Sequence, residues 1–164
     1  MATNGLTEYD IKRYTRQIMI KGFGEEGQKK LKNTKVFVAG VGGLGSPVAT
    51  YLAVAGFGHI TLADLDVVDL SNLNRQILHW DKGVGRVKVE SGLEKLNGLN
   101  PSVEVSTFHG RIDENNVYDL TKGHDLIIDA MDNFPTRFLL NRAALKHRKP
   151  FIHASVWGLE GRMT

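Results

Sequence analysis

Gly40, Gly42 and Gly45 occupy the positions of a Gly-x-Gly-x-x-Gly turn, with the apolar run Val36–Ala39 leading in and an apolar, helix-like stretch leading out. In that strand–turn–helix setting the first glycine permits a tight turn. The second lets backbone approach a phosphate, and the third lets helix and strand pack closely. The start of the following helix offers free N–H groups and a partial positive charge to an anion. Asp64 follows Gly45 by 19 residues, the usual spacing of an acid that binds a ribose hydroxyl. These features predict a nucleotide site, and they suit dinucleotides and mononucleotides about equally.

The residues that follow discriminate between the two. A dinucleotide's pyrophosphate needs little beyond the backbone cradle. A triphosphate under attack at its α-phosphorus gathers charge that calls for extra cations and a metal. Arg75 and Lys88 lie soon after Asp64 and can supply the cations. Asp132, beyond a further strand, can hold Mg²⁺, which takes one or two carboxylates plus phosphate oxygens. Each residue also has a plainer reading. Arg75 could form a surface ion pair with Asp66 or Asp69, and Lys88 could be a solvated helix side chain.

Alternating strands and helices must position these groups. Strands are expected at Val36–Ala39, Ile60–Ala63, Val103–Phe108, Asp125–Ala130 and Phe151–Ser155, and helices at Leu44–Ala55, Val87–Leu99, Asn115–Leu120 and Thr136–His147. The segment from Val67 to Gly85 has no clean period. Thr7 and Asp10 have the spacing of a capping box, with Ile11, Tyr14 and Ile18 on one helical face, and a short polar helix runs to about Lys32. The pattern is that of an α/β fold: a doubly wound, mostly parallel, Rossmann-like sheet of order 3-2-1-4-5, preceded by an N-terminal helical segment. Residues 1–33 are expected to form the helical arm and 34–164 the nucleotide-binding domain. Such sheets bind ligands beyond the carboxyl ends of their strands, where Gly40, Asp64 and Asp132 should meet. The end of the chain, from Val156 to Thr164, reads as the start of a strand or hairpin that stops abruptly. Trp157–Thr164 is expected to lack a pairing partner.

Composition narrows the chemistry. The chain has 164 residues and no cysteine, which excludes disulfides, thiolate zinc sites and a cysteine nucleophile within it. Neither a membrane-length apolar run nor a signal-peptide pattern occurs, so a cytoplasmic location is expected. The net charge of +3 is concentrated between Asp10 and Lys35. That stretch reads as a solvated helix face or as contact with an anionic partner. Basic and aromatic residues do not interleave as in a single-strand binder, so nucleic acid is not an expected partner. The six histidines are scattered without an i, i+4 pair and read as ordinary surface or strand-end residues. Phe134 and Trp157 read as packing residues.

Taken together, Arg13-Tyr14-Thr15-Arg16-Gln17-Ile18, Gly40-x-Gly-Gly-x-Gly45, Asp64-x-Asp66, Ser71-Asn72-Leu73-x-Arg75-Gln76, Val84-Gly85-x-x-Lys88 and Asp129-x-x-Asp132-Asn133 resemble the ThiF/MoeB/HesA family, the bacterial and archaeal relatives of ubiquitin-activating enzymes. The resemblance covers essentially the whole chain. It implies an ATP- and Mg²⁺-dependent adenylyltransferase that activates the C-terminal Gly-Gly carboxylate of a ubiquitin-like sulfur carrier protein, for thiamine, molybdopterin or related sulfur transfer. It implies that Gly42 and Gly43 lie under the phosphates, within the turn of Gly40 and Gly45, and that Asp64 binds the ribose. Ser71, Asn72, Arg75, Gln76 and Lys88 would bind the phosphate and ribose region, and Asp132 would take the metal with Asn133 beside it. Arg16 matches a finger that reaches into the neighbouring subunit's site, which makes a homodimer functional. Family members usually continue for roughly another third of their length, commonly with two Cys-x-x-Cys pairs for zinc. The resemblance leads to the expectation that the C-terminal part of the family fold and its zinc site are missing from this chain. Two other functions remain open: a non-catalytic nucleotide-binding fragment or scaffold, and an NAD(P)-dependent oxidoreductase. Arg75, Lys88 and Asp132 argue against the oxidoreductase.

Overall fold

The computed structural model describes residues 5–164; residues 1–4 of the expected arm lie outside the described residues. β1 (Lys35–Ala39) is the centre of a six-stranded sheet. It alternates between two cores: Val36 and Val38 face one, Phe37 and Ala39 the other, all fully buried. This period-two alternation within an uninterrupted apolar run is what a parallel strand covered on both faces requires. α4 (Gly45–Ala55) and α5 (Lys88–Leu99) cover the first face, while α6 (Val117–Thr121) and α7 (Phe134–His147) cover the second.

β1 pairs in parallel with β2 (His59–Asp64) and β4 (Leu126–Asp129). Outside them lie β3 (Glu104–His109) and β5 (Phe151–Trp157). The order β3-β2-β1-β4-β5 matches the sequence-based expectation, and β6 (Glu160–Met163) is added antiparallel to β5. The tail therefore has a partner, contrary to expectation. Trp157 pairs with Glu160 across a tight hairpin at Gly158 (φ +59°), and His153 and Thr164 exchange two backbone hydrogen bonds. Trp157 and Phe134, expected to pack, are 89 % and 70 % exposed. Trp157 stands at the hairpin tip, and Phe134 stacks on Phe138 at the start of α7 with the Arg137 guanidinium over its ring.

The arm consists of α1 (Glu8–Arg13), α2 (Thr15–Ile18) and α3 (Gly24–Asn33). Thr7 caps α1 through a capping box with Asp10. Burial raises the pKa of the Asp10 carboxyl, but bonds from Lys32 and Thr7 outweigh it and hold the group below its ordinary value. The single apolar face expected across residues 11–18 is broken at Tyr14, which ends α1. Its ring is buried, whereas Ile11 is exposed. The Tyr14 hydroxyl accepts from Asn100 Nδ2 at 2.8 Å, and Asn100 also donates to Ala53 O. Gln17 and Gln28 both donate to Ala55 O. These bonds satisfy carbonyls at the C-terminus of α4 and fix the arm to that end of the helix. α7 begins at Phe134, because the Asn133 side chain accepts from Thr136 N and Pro135 is tolerated in the first turn.

Candidate functional site

β1 ends in the glycine turn. Gly40 has φ +89°, a conformation open to glycine at no steric cost. A Cβ there would stand 2.8 Å from Ala130 O, so the β1–α4 turn and the β4–α7 loop touch. A Cβ on Gly45 would stand 1.8 Å from Gly40 O, which is why the third glycine is required for α4 to start where it does. No side chain caps α4, Ser46 N donates to Gly42 O and Pro47 has no N–H, so at the helix start the Gly45 N–H is the donor left for an anion. Gly42 and Gly43 are different: a Cβ on either would meet only Gln76 Nε2 or the Arg75 side chain, each at 3.6 Å.

Asp64 ends β2 beside this turn. Its Oδ2 accepts from Val41 N at 2.8 Å and its Oδ1 from Asp66 N at 2.9 Å. Each oxygen keeps a further lone pair. The segment after β2 holds two short 3₁₀ turns, Leu70–Asn72 and Asp81–Gly83, and a bridge from Val67 to Val87. Asp69 caps the first turn, accepting from both the N–H and the hydroxyl of Ser71, and Asn72 Oδ1 accepts from Asp69 N. The hydroxyl bond, with the backbone one, holds Asp69 below the ordinary carboxylate value. Ser71 and Asn72 thus shape the loop that carries Arg75. Arg75 forms no ion pair with Asp66 or Asp69. It donates to Ser71 O and Asn74 Oδ1 and lies exposed along Gly43. Gln76 is buried against Gly42, and its Oε1 is the only buried side-chain polar atom without a partner among the described residues.

Lys88 is not a solvated side chain. It is 5 % exposed at the first position of α5, with Nζ 2.8 Å from Asp66 Oδ2. Asp132 is exposed and accepts from the Asn133 amide at 3.5 Å. The loop that presents it is held firmly. Asp129, fully buried, accepts from Met131 N and pairs with His153 at 2.7 Å, and the Arg137 guanidinium donates to Met131 O through Nε and Nη2. Among the described residues no cluster of three or more His, Asp or Glu side chains could hold a metal by itself. A lone carboxylate beside a phosphate site fits Mg²⁺ binding completed by phosphate oxygens.

The glycine turn, Asp64, Ser71, Asn72, Arg75, Gln76 and Lys88 are therefore gathered at the carboxyl ends of β1 and β2. Asp132 and Asn133 follow β4, whose loop abuts Gly40. Arg16 is not brought there. It is exposed on α2, and its neighbour Gln17 is bonded to the opposite end of α4. Asp129, Arg137, His153 and His79 escaped the sequence reading as structural supports. Asp129 lies within a recognised motif, but the side-chain contacts of His79 and His153 join residues 12 to 38 positions apart and leave no local pattern. His79 and His124 are buried, contrary to the expectation of ordinary surface histidines.

The ThiF family model matches residues 14–164. The chain belongs to the ThiF family. Among curated relatives of this ThiF-family chain, the adenylyltransferase and sulfurtransferase MOCS3 of Culex quinquefasciatus is 45 % identical over 159 residues, covering 97 % of the chain and 36 % of that protein. The SAMP-activating enzyme E1 of Haloferax volcanii is 42 % identical over 162 residues, covering 99 % and 60 %. The chain thus spans between about a third and three-fifths of the length of these relatives. Among solved structures, the tRNA N6-threonylcarbamoyladenosine dehydratase TcdA of E. coli in complex with ATP superposes with a TM-score of 0.84 at 28 % identity, covering 90 % of the chain and 60 % of TcdA. No helix among the described residues is long and apolar enough to cross a membrane.

Proposed function

We propose that this ThiF-family chain binds ATP and carries the adenylylation site of an enzyme that activates the C-terminal Gly-Gly carboxylate of a ubiquitin-like sulfur carrier. The observation that carries the reading is the placement of Arg75 and Gln76 directly over Gly43 and Gly42, with Asp64 bonded to the same turn. A dinucleotide cradle has no use for a guanidinium there, whereas a triphosphate has. The curated relatives named as an adenylyltransferase and as an E1 activating enzyme support it.

In this reading the ribose sits on the free lone pairs of Asp64, with Ser71 and Asn72 lining the same loop. The phosphates lie on the N–H groups of Gly42 and Gly43, within the turn fixed by Gly40 and Gly45. A carrier carboxylate oxygen bonds to the α-phosphorus as the bond from that phosphorus to the bridging oxygen breaks. The electron pair leaves with pyrophosphate. No protein nucleophile is required, so the chain contributes position and charge. Arg75 and Lys88 stabilise the charge gathering on the phosphoryl oxygens, and Gln76 offers its amide beside them. Lys88 can exchange Asp66 for phosphate at low cost, because the Asp66 carboxylate is half-exposed and stays hydrated. Asp132 is the residue that would hold Mg²⁺, with Asn133 beside it; the ion neutralises phosphate charge when bound.

Arg16 belongs to a second subunit's site in this proposal. Gln17 ties α2 to the C-terminus of α4, and an 11-residue helix sets that point about 16 Å from the phosphate end. A homodimer lets the finger reach the partner's phosphates. Residues 1–33 then act as the arm, 34–164 as the nucleotide domain, and the protein works in the cytoplasm. ATP–pyrophosphate exchange with a carrier ending in Gly-Gly tests the reading. ATP binding without exchange leaves a nucleotide-binding fragment, and tighter binding of NAD⁺ than of ATP overturns it.

A further inference from the structure

His79 lies three residues beyond Gln76, on the segment that carries Ser71, Asn72 and Arg75, and is 5 % exposed. Its Nε2 stands 3.1 Å from Val41 O, inside the glycine turn. A carbonyl oxygen only accepts, so Nε2 must carry a hydrogen. Nδ1 stands 3.1 Å from the Ser91 hydroxyl on α5. Burial depresses the imidazole's pKa. The Val41 bond and Asp64 oppose this, and Lys88 and Lys95 of α5 reinforce it. The ring is therefore neutral at pH 7, with Nδ1 accepting from Ser91.

Val41 is held from several directions. Its carbonyl also accepts from Ser46 Oγ at 3.2 Å, and its N–H donates to Asp64 at 2.8 Å. Three side chains, from β2, from the β2–α5 segment and from α4, thus fix the two peptide groups that flank Val41 between Gly40 and Gly42. Glycine-rich backbone is conformationally loose, and a phosphate cradle works only if its N–H groups are already aimed.

Resting on the ATP reading above, we propose that His79 is a positioning residue: its Nε2–H locks the glycine turn in the phosphate-receiving form and ties the Arg75 segment to that turn. It touches neither phosphate nor substrate.

The test compares His79→Gln with His79→Asn. The Gln amide can occupy the place of Nε2 and keep the bond to Val41 O. The Asn amide reaches only the place of Nδ1. Three measurements are made on the 164-residue chain: ¹⁵N NMR of the wild-type imidazole, amide exchange at Gly42, Gly43 and Leu44 without ligand, and calorimetric titration with ATP–Mg²⁺. The expected result is a neutral Nε2–H tautomer, near wild-type protection and affinity in His79→Gln, and faster exchange with a roughly tenfold weaker affinity in His79→Asn, the effect of one buried hydrogen bond. An Nδ1–H tautomer, an imidazolium at pH 7, or equal exchange in the two variants overturns the proposal. A wild-type chain that fails to bind ATP refutes the nucleotide reading instead, while tautomer and turn exchange still decide the role of His79.

Discussion

Lys88 separates charge from packing. Its side chain is 6 % exposed, whereas the Asp66 carboxylate it meets is 54 % exposed. Lys88→Ala removes three buried methylene groups at about 0.8 kcal/mol each, roughly 2.4 kcal/mol in all. Lys88→Met keeps that volume and removes only the ammonium. Asp66 then returns to water, so the lost pair is worth between about 0 and 1 kcal/mol, and release of a buried charge offsets part of it. In a protein of this size about 1 kcal/mol moves the Tm by roughly 2–4 °C. Lys88→Ala should therefore melt about 5–10 °C lower, and Lys88→Met within about 3 °C of the parent. Both should lose pyrophosphate exchange alike, by about 100-fold or more, the effect of removing one donor from the reacting charge. Thermal and urea unfolding beside the exchange assay read the two effects separately. If Lys88→Met is as unstable as Lys88→Ala, the ion pair and not the stem supports the fold. If Lys88→Met exchanges like the parent, the phosphate role assigned to Lys88 is wrong.

The neutral burial of His79 and His124 makes stability fall with acid. Burial is the leading cause in both, and the folded imidazoles titrate below the unfolded ones. The unfolded chain therefore takes up protons first as pH drops below about 6.5, and the loss reaches at most about 1.4 kcal/mol per pH unit for each ring. Urea unfolding from pH 7.5 to 5 should show this slope, and His79→Gln with His124→Gln should flatten it; an unchanged slope contradicts the assignment. Gly45→Ala should lose both fold stability and ATP binding, because its methyl would stand 1.8 Å from Gly40 O. Gly42→Ala, with 3.6 Å to Gln76, should melt within a few degrees of the parent and lose binding only; equal melting temperatures for the two variants would mean that the turn opens readily. Asp64→Ala removes the proposed ribose acceptor and the anchor of Val41 N, so affinity for ATP should drop by about 1.5–3 kcal/mol, with calorimetry as the check. Arg16→Ala subunits mixed with Asp132→Ala subunits should recover part of the activity through heterodimers with one intact site; no recovery after verified subunit exchange places Arg16 outside the partner's site.

Legibility in the sequence tracks the range of the interaction. The Thr7–Asp10 capping box, the apolar run Val36–Ala39 and the glycine spacing are signals confined to a few residues, and each produced the expected local structure. The order β3-β2-β1-β4-β5 then followed from right-handed crossovers between parallel strands. The segment from Val67 to Gly85 had no period because short 3₁₀ turns, an Asp69 cap and a single bridge hold it, none of which repeats. Pairing of the tail was missed because its partner is the far part of β5, which runs past the end of β4.

The supports of the site were the least legible part, and the reason is physical. A phosphate-binding turn needs glycine for its shape, which makes it recognisable, yet glycine also makes it loose. Its rigidity has to be supplied by side chains from elsewhere. Here Asp64 and His79 reach Val41 from 23 and 38 residues away. The loop before Asp132 is also fixed by side chains, Asp129 and Arg137 bonding the two peptides that flank Met131, with His153 behind Asp129. In each half a buried side chain, His79 or Asp129, aims a group proposed to meet the nucleotide, the turn backbone or the exposed loop of Asp132. Substitutions at His79, Asp129 and Arg137 should therefore act on the order of the turn and loop before they act on chemistry. Amide exchange in the ligand-free protein would register them first.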